Sequence, residues 1–237
     1  MPATINTNIA SLNAQRSLSA SSSSLATSMA RLSSGLRVNS AKDDAAGLAI
    51  AERMNAQIRG MNVAIRNAND GISYAQTAEG ALSKVGDSLQ RMRELAVQAR
   101  NASNTEKDQD SLQNEFKELQ SEIDRVLKGT TFNGSTIFTA TGSLDFQVGA
   151  GTTGNDRVSI TLGNTALTAD TSLTNVTTTT AIIGDLGSTT AVAGSAIDTV
   201  IGNLDAAIDK INSQRSVWGA TQNRFDAVIS NLQVSVE

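Results

Sequence analysis

IDTVIGNLDAAIDKINSQRSVWGATQNRFDAVISNLQVSV, residues 197–236, decides the fold. Its apolar positions fall at Ile197, Ile201, Leu204, Ile208 and Ile211, then at Trp218, Phe225, Ile229, Leu232 and Val236, with Arg215 and Gln222 interrupting. Steps of four and three are a heptad seam. A helix carrying it is about 60 Å long at roughly 1.5 Å per residue, against a mean of about 11–12 residues for globular helices. Such a helix cannot bury its stripe alone, so other long helices must lie along it.

Partners stand upstream. Residues 72–100 place Ile72, Ala75, Ala78 or Glu79, Leu82, Val85, Leu89, Met92 and Ala96 at the same alternation, and Leu112, Phe116, Leu119, Ile123 and Val126 continue it after a polar turn. These are three bundle helices, and Leu82, Leu89, Leu112, Phe116, Leu119, Ile123, Leu204, Ile208, Ile211, Trp218 and Phe225 are expected to carry the packing between helices or subunits. The turn NASNT, residues 101–105, is short and rich in capping residues, which predicts an antiparallel hairpin of the second and third seams. Glu106, Asp108 and Asp110 follow in a first turn, where negative charge suits the helix dipole.

Composition excludes several classes. The 237 residues are 39% apolar but only 3% aromatic, which suits narrow helix–helix seams better than a ligand-enclosing pocket. With neither cysteine nor histidine, disulfides, thiolate chemistry, common zinc sites and histidine acid–base catalysis are ruled out, and no cofactor or metal is expected. Nineteen basic against twenty-three acidic residues, with no cationic block, argue against nucleic acid as a partner. The start MPATIN has no charged or apolar segment of a secretory signal, and no apolar run is long enough to span a membrane, so no membrane partner is expected and any export uses a different route.

Along the chain, Ile5, Ile9, Leu12, Leu25, Met29, Leu32 and Leu36 pattern a polar N-terminal segment broken by SASSSS at residues 19–24. Such a segment is helical only when packed and otherwise disordered. VNSAKDD, residues 38–44, reads as a break before a new helix, with Ser40 as N-cap and Asp43 three residues on, and with Gly60 or Gly71 as a bend further along. Eleven of the eighteen glycines lie between Gly129 and Gly202, beside threonine runs such as residues 177–180. There LDFQV at 144–148 and RVSITL at 157–162 alternate like half-buried strands, and TTFNGS at 130–135 is turn-rich, giving a small β excursion between helices.

GAGTTG, residues 149–154, has the dinucleotide-binding spacing, but an alternating strand follows it where a phosphate-cradling helix is required, so a hairpin loop is expected. The pairs Asp43–Asp44 and Asp108/Asp110 lack the glycine and terminal glutamate of a calcium loop and read as helix-start residues. No serine has nucleophile-elbow spacing, so no catalytic residue is assigned and no enzyme is expected. Trp218 is expected to pack in the bundle while Arg215 finds a carboxylate or snorkels to solvent, or else serves as a specificity contact at a junction.

LSSGLRVNSAKDDAAGLAI, residues 32–50, closely resembles the signature of bacterial flagellins. So do INTNIASLNA at 5–14, QRMRELAVQ at 90–98, FNG at 132–134 and the Gln214, Arg215, Gly219, Ala220, Gln222, Asn223, Arg224 pattern, spread over residues 1–139 and about 197–237. The resemblance implies a mainly α fold with a small β region, a long antiparallel helical bundle or coiled-coil rod with an inserted β-hairpin subdomain. It implies an N-terminal inner coiled-coil segment at 1–43, disordered without its C-terminal partner, and the N-terminal half of a rod at 44–128. A Gly/Thr-rich, surface-exposed β region at 129–195 and a C-terminal rod helix at 196–237 complete it. Flagellins normally continue with a further apolar helix, whereas this chain stops at Glu237, so a truncated or incomplete flagellin that does not build stable filaments alone is expected.

Function by this resemblance is mechanical: subunits polymerise into an extracellular, secreted flagellar filament for motility. The implied partners are other flagellin subunits, the flagellar export apparatus and chaperone, and a host Toll-like receptor that senses flagellin through the rod. Arg91, Leu95 and Glu115 fall on positions resembling the family's receptor contacts. Alternatives are the hook–filament junction protein, which has similar terminal helices, and an enzyme carried in the variable middle, against which the lack of His, Cys and a metal constellation speaks.

Overall fold

The computed structural model describes residues 8–139, 142–161, 167–178, 181–186 and 190–237. It divides into two units, Met1–Ile58 and Arg59–Glu237. Among the positions singled out above, Ile5, Leu162 and residues 179–180 lie outside the described residues.

In the first unit, α1 (Ile9–Ser34) opens on Asn8, whose Oδ1 accepts the Ser11 N–H at 3.1 Å, and closes on Gly35 in the left-handed region at φ 70°. Helix α1 has no buried residue: Leu18, Leu25 and Leu32 are 72%, 62% and 86% exposed. The break at 38–44 is real, but the cap is not Ser40. Asp43 closes a turn on the Asn39 and Ser40 N–H groups, and Asp44 Oδ1 accepts the Gly47 N–H at 2.8 Å as α2 begins. A carboxylate at the helix edge outcompetes a hydroxyl four residues earlier.

Helix α2 (Ala45–Ala99) runs without interruption, so neither Gly60 nor Gly71 breaks it. In the second unit it packs with α3 (Glu106–Gly129) and α5 (Gly194–Val236). Pairing fixes direction: Arg100 meets Asp198 and Arg93 meets Asp205, while Gly71 lies against Phe225, so numbers fall on one helix as they rise on the other. Arg91 meeting Glu115 makes α3 antiparallel to α2 likewise, joined through the turn predicted from 101–105. Thr105 caps α3 in a reciprocal box with Asp108, whose carboxyl the Thr105 hydroxyl and N–H hold below its ordinary range.

Leu82, Leu89, Phe116, Ile123, Leu204, Ile211, Trp218 and Phe225 are buried, and Leu112, Leu119 and Ile208 are half-buried against that core. Among the described residues of 129–193 there are two antiparallel hairpins. In the first, β1 (Thr131–Phe132) pairs with β2 (Ser135–Thr136), turning through Asn133 at φ 48° and Gly134 at φ 79°. In the second, β3 (Ser143–Gln147) pairs with β4 (Arg157–Thr161) from Ser143↔Thr161 to Gln147↔Arg157. A short helix, α4 (Thr171–Thr177), packs on α5, with Asp170 accepting from Lys210 at 2.9 Å.

Scarce as they are, the aromatic residues are not scattered. Tyr74 contacts Phe132, Phe146 and Trp218 at centroid distances of 5.4, 6.1 and 5.8 Å, and Phe146 meets Phe225 edge-on at 5.4 Å. Five rings from both hairpins, α2 and α5 therefore form one cluster where sheet meets bundle, each pair adding to the burial of its area.

Candidate functional site

Geometry places the predicted contact residues at the α2–α3 edge. Arg91 Nε donates to Glu115 Oε1 at 2.8 Å and Arg91 Nη1 to Glu94 Oε2 at 2.8 Å. The Glu115 hydrogen bond, then that of Glu94, holds the guanidinium charged well above its ordinary range. All three are exposed, so the pairs order the arginine more than they stabilise the fold. Leu95 does not share their face: it is 1% exposed and packs inward beneath them. At four residues from Arg91 it lies on the inner flank of α2, because that face buries Met92, Leu95, Ala96 and Ala99 together.

Sequence reasoning missed a row of buried amides. Gln109, Gln113 and Gln120 are 6%, 1% and 7% exposed and point inward from α3. Gln109 Oε1 accepts the Val192 N–H at 2.9 Å while its Nε2 donates to Ala99 O at 3.1 Å. Gln113 Oε1 accepts the N–H groups of Ile183 and Gly184 at 2.7 and 3.1 Å. Gln120 Nε2 donates to Val176 O at 2.7 Å and to Thr178 O and Ala181 O at 3.2 Å. The signal was present in the four- and seven-residue spacing, but glutamine scores as polar in any apolar-period search.

The glycine loop at 149–154 is the hairpin turn expected. Its concave side is filled by Asp156, which accepts from the Thr153 hydroxyl at 2.6 Å and N–H at 2.9 Å; a Cβ on Gly151 would meet its Oδ2 at 2.6 Å. A carboxylate stands where an anion would have to sit. Trp218 is fully buried, and Arg215 faces Glu79 at 3.8 Å, so it finds the carboxylate that the seam predicts. Among the described residues no group of three or more His, Cys, Asp or Glu is placed to hold a metal ion, and no helix is long and apolar enough to cross a membrane.

The family described as the bacterial flagellin N-terminal helical region matches residues 5–143, more than half of the chain. The chain belongs to the bacterial flagellin family. It is 51% identical over 170 residues to the B-type flagellin of Pseudomonas aeruginosa, covering 71% of this chain and 34% of that protein. The chain thus spans about a third of the length of the curated flagellins it matches. Among solved structures, Bacillus cereus flagellin superposes with a TM-score of 0.56 at 29% identity, covering 70% of this chain and 88% of that one. A flagellar hook-associated protein of Vibrio parahaemolyticus superposes with a TM-score of 0.61 at 13% identity, covering 82% and 94%, which is likeness of fold. In this flagellin-family chain, Arg91, Glu94 and Glu115 are paired surface charges within a helical frame.

Proposed function

We propose that this chain is a structural subunit of a bacterial flagellar filament, secreted and extracellular, that serves motility. The observation that carries the reading is the row of apolar side chains on α1 left uncovered among the described residues: Leu18, Leu25, Met29 and Leu32 are all more than half exposed. A water-facing helix with such a stripe requires other helices, and in a homopolymer the partners are supplied by neighbouring copies and by the coiled-coil pairing of N- and C-terminal segments. Helix α1 then packs against those partners on assembly, and passage through the export apparatus with its chaperone precedes that step. In the gene encoding this chain, Leu25→Asp with Leu32→Asp is expected to abolish filaments seen by negative-stain electron microscopy; filaments of normal length and number would overturn the reading.

The same reading includes recognition by the flagellin-sensing Toll-like receptor of hosts through the α2–α3 edge. Arg91, ordered by Glu94 and Glu115, presents donors in a fixed position with little rotamer entropy left to lose. Leu95 supports that face from beneath. In receptor-reporter cells, Arg91→Ala with Glu115→Ala is expected to weaken the response; an unchanged response rejects the assignment. The hook–filament junction reading is the weaker one, since identity of 51% is to flagellin while the hook-associated likeness stands at 13%.

A further inference from the structure

Helix α3 carries two overlapping stripes. The apolar set Leu112, Phe116, Leu119, Ile123 and Val126 and the buried set Gln109, Gln113, Phe116, Gln120, Ile123 and Leu127 have centres about 60° apart around the axis, at about 100° per residue. The helix is therefore turned away from the position that would bury its apolar stripe most deeply, and Leu112, Leu119 and Val126 are left at the margin. Hydrogen bonding accounts for that choice. Ala99 O, Val176 O, Thr178 O, Ala181 O and the N–H groups of Ile183, Gly184 and Val192 all find partners in the three glutamines. In the rotated alternative the buried members of this group lose them. Gly184 fixes the approach, because a Cβ there would run into the Gln109–Asp110 backbone of α3.

The azimuth has a consequence on the opposite side of the helix. Glu115 lies about 120° from the centre of the buried stripe, on the edge facing Arg91, at a radius of about 5–6 Å from the axis. A turn of about 60° would move its carboxylate by roughly 5 Å, out of reach of Arg91 Nε. We propose that Gln109, Gln113 and Gln120 are positioning residues: by holding the ends of α2 and α4 and the backbone between α4 and α5 they set the rotation of α3, and through it the Arg91–Glu115 pair. The geometry stands on the distances above, and its consequence for recognition rests on the receptor reading of the previous subsection.

Gln113 gives the sharpest test, because it works through Oε1 and its Nε2 has no partner among the described residues. Gln113→Glu keeps an acceptor of the same length, whereas Gln113→Leu removes it. The readout is the side-chain Nε–Hε resonance of Arg91 in the full chain, assigned by its loss in Arg91→Lys, beside receptor-reporter potency. In Gln113→Leu the resonance is expected to move to the position of a free arginine. Potency is expected to fall about tenfold, as one charge-assisted hydrogen bond implies, and Gln113→Glu restores both. Gln120→Leu, at the other end of the row, repeats the measurement independently if Gln113→Leu fails to fold. An Arg91 resonance unchanged in folded Gln113→Leu, or lost equally in Gln113→Glu, overturns the proposal. A resonance that moves while potency is unaffected, in this variant and in Arg91→Ala with Glu115→Ala alike, upholds the positioning role and rejects the receptor reading.

Discussion

Three glycines of α2, Gly71, Gly80 and Gly86, share one backbone conformation but meet different surroundings, which separates helix propensity from packing on a single element. A Cβ built on Gly71 would lie 2.5, 2.8 and 2.9 Å from the Phe225 ring. On Gly80 it would meet nothing within 4 Å, and on Gly86 only Ile211 Cγ2 at 3.9 Å. Replacing an interior helix glycine with alanine gains about 0.5–1 kcal/mol where space allows. Overpacking a core costs about 1–3 kcal/mol. Phe225 is fully buried and held edge-on by Phe146, so it cannot swing aside, and the steric cost wins at Gly71. Gly71→Ala is therefore expected to lose about 1 kcal/mol net, a fall in Tm of about 2–4 °C for a chain of this size, while Gly80→Ala and Gly86→Ala raise it by a similar or smaller step. Thermal unfolding followed by circular dichroism measures all three. Adding Phe225→Leu to Gly71→Ala should cost less than Phe225→Leu alone, because the shorter side chain leaves room for the methyl. A Gly71→Ala variant that gains stability as Gly80→Ala does would refute the packing of α5 on α2 at this level.

Gly184→Ala is expected to destabilise by about 2 kcal/mol or more, since the obstacle is α3 backbone and not a movable side chain, and a Tm within a degree of the parent would contradict it. Arg93→Ala should change stability by less than about 1 kcal/mol despite a 2.6 Å contact with Asp205, because both partners are about half exposed; a larger loss in urea unfolding would show a pair stronger than its exposure allows. Acid should destabilise the chain. Asp108, Asp156 and Asp198 are held below the ordinary 3.8 by hydrogen bonds from Thr105, Thr153 and Arg100; at Asp170, burial pulls upward but Lys210 and the Ser172 N–H outweigh it. Depressed folded values mean that the stabilisation is complete above the unfolded pKa and is lost as pH falls through the folded one, so Tm should be flat between about pH 5 and 8 and drop below about pH 4. A Tm that rises on acidification would reverse the sign.

The bundle was legible because its apolar residues repeat at helical spacing over many turns, and Trp218, Phe225, Leu204 and Leu89 had no alternative to the seam. The β3–β4 hairpin was legible from alternation around a glycine loop. The rotation of α3 was not, because its buried face mixes amides with apolar groups, and a glutamine bound to backbone has no periodic signature separable from a solvated one. The burial of Leu95 was hidden for a related reason: it follows Arg91 by one turn, but α2 packs against two helices at once, and the wider buried arc reaches it. The Asp44 cap and the unbroken α2 were decided by local competition between neighbouring side chains and by packing around Gly71, neither of which a propensity scale records.

The most direct test of the filament-subunit reading is immunogold labelling of intact flagella, in the bacterium that makes this chain, with antibody raised against residues 59–237. Gold along the whole length of the filament is the predicted result. Gold confined to a band at the hook–filament joint, with an unlabelled filament beyond it, would contradict the account and assign the chain to the junction.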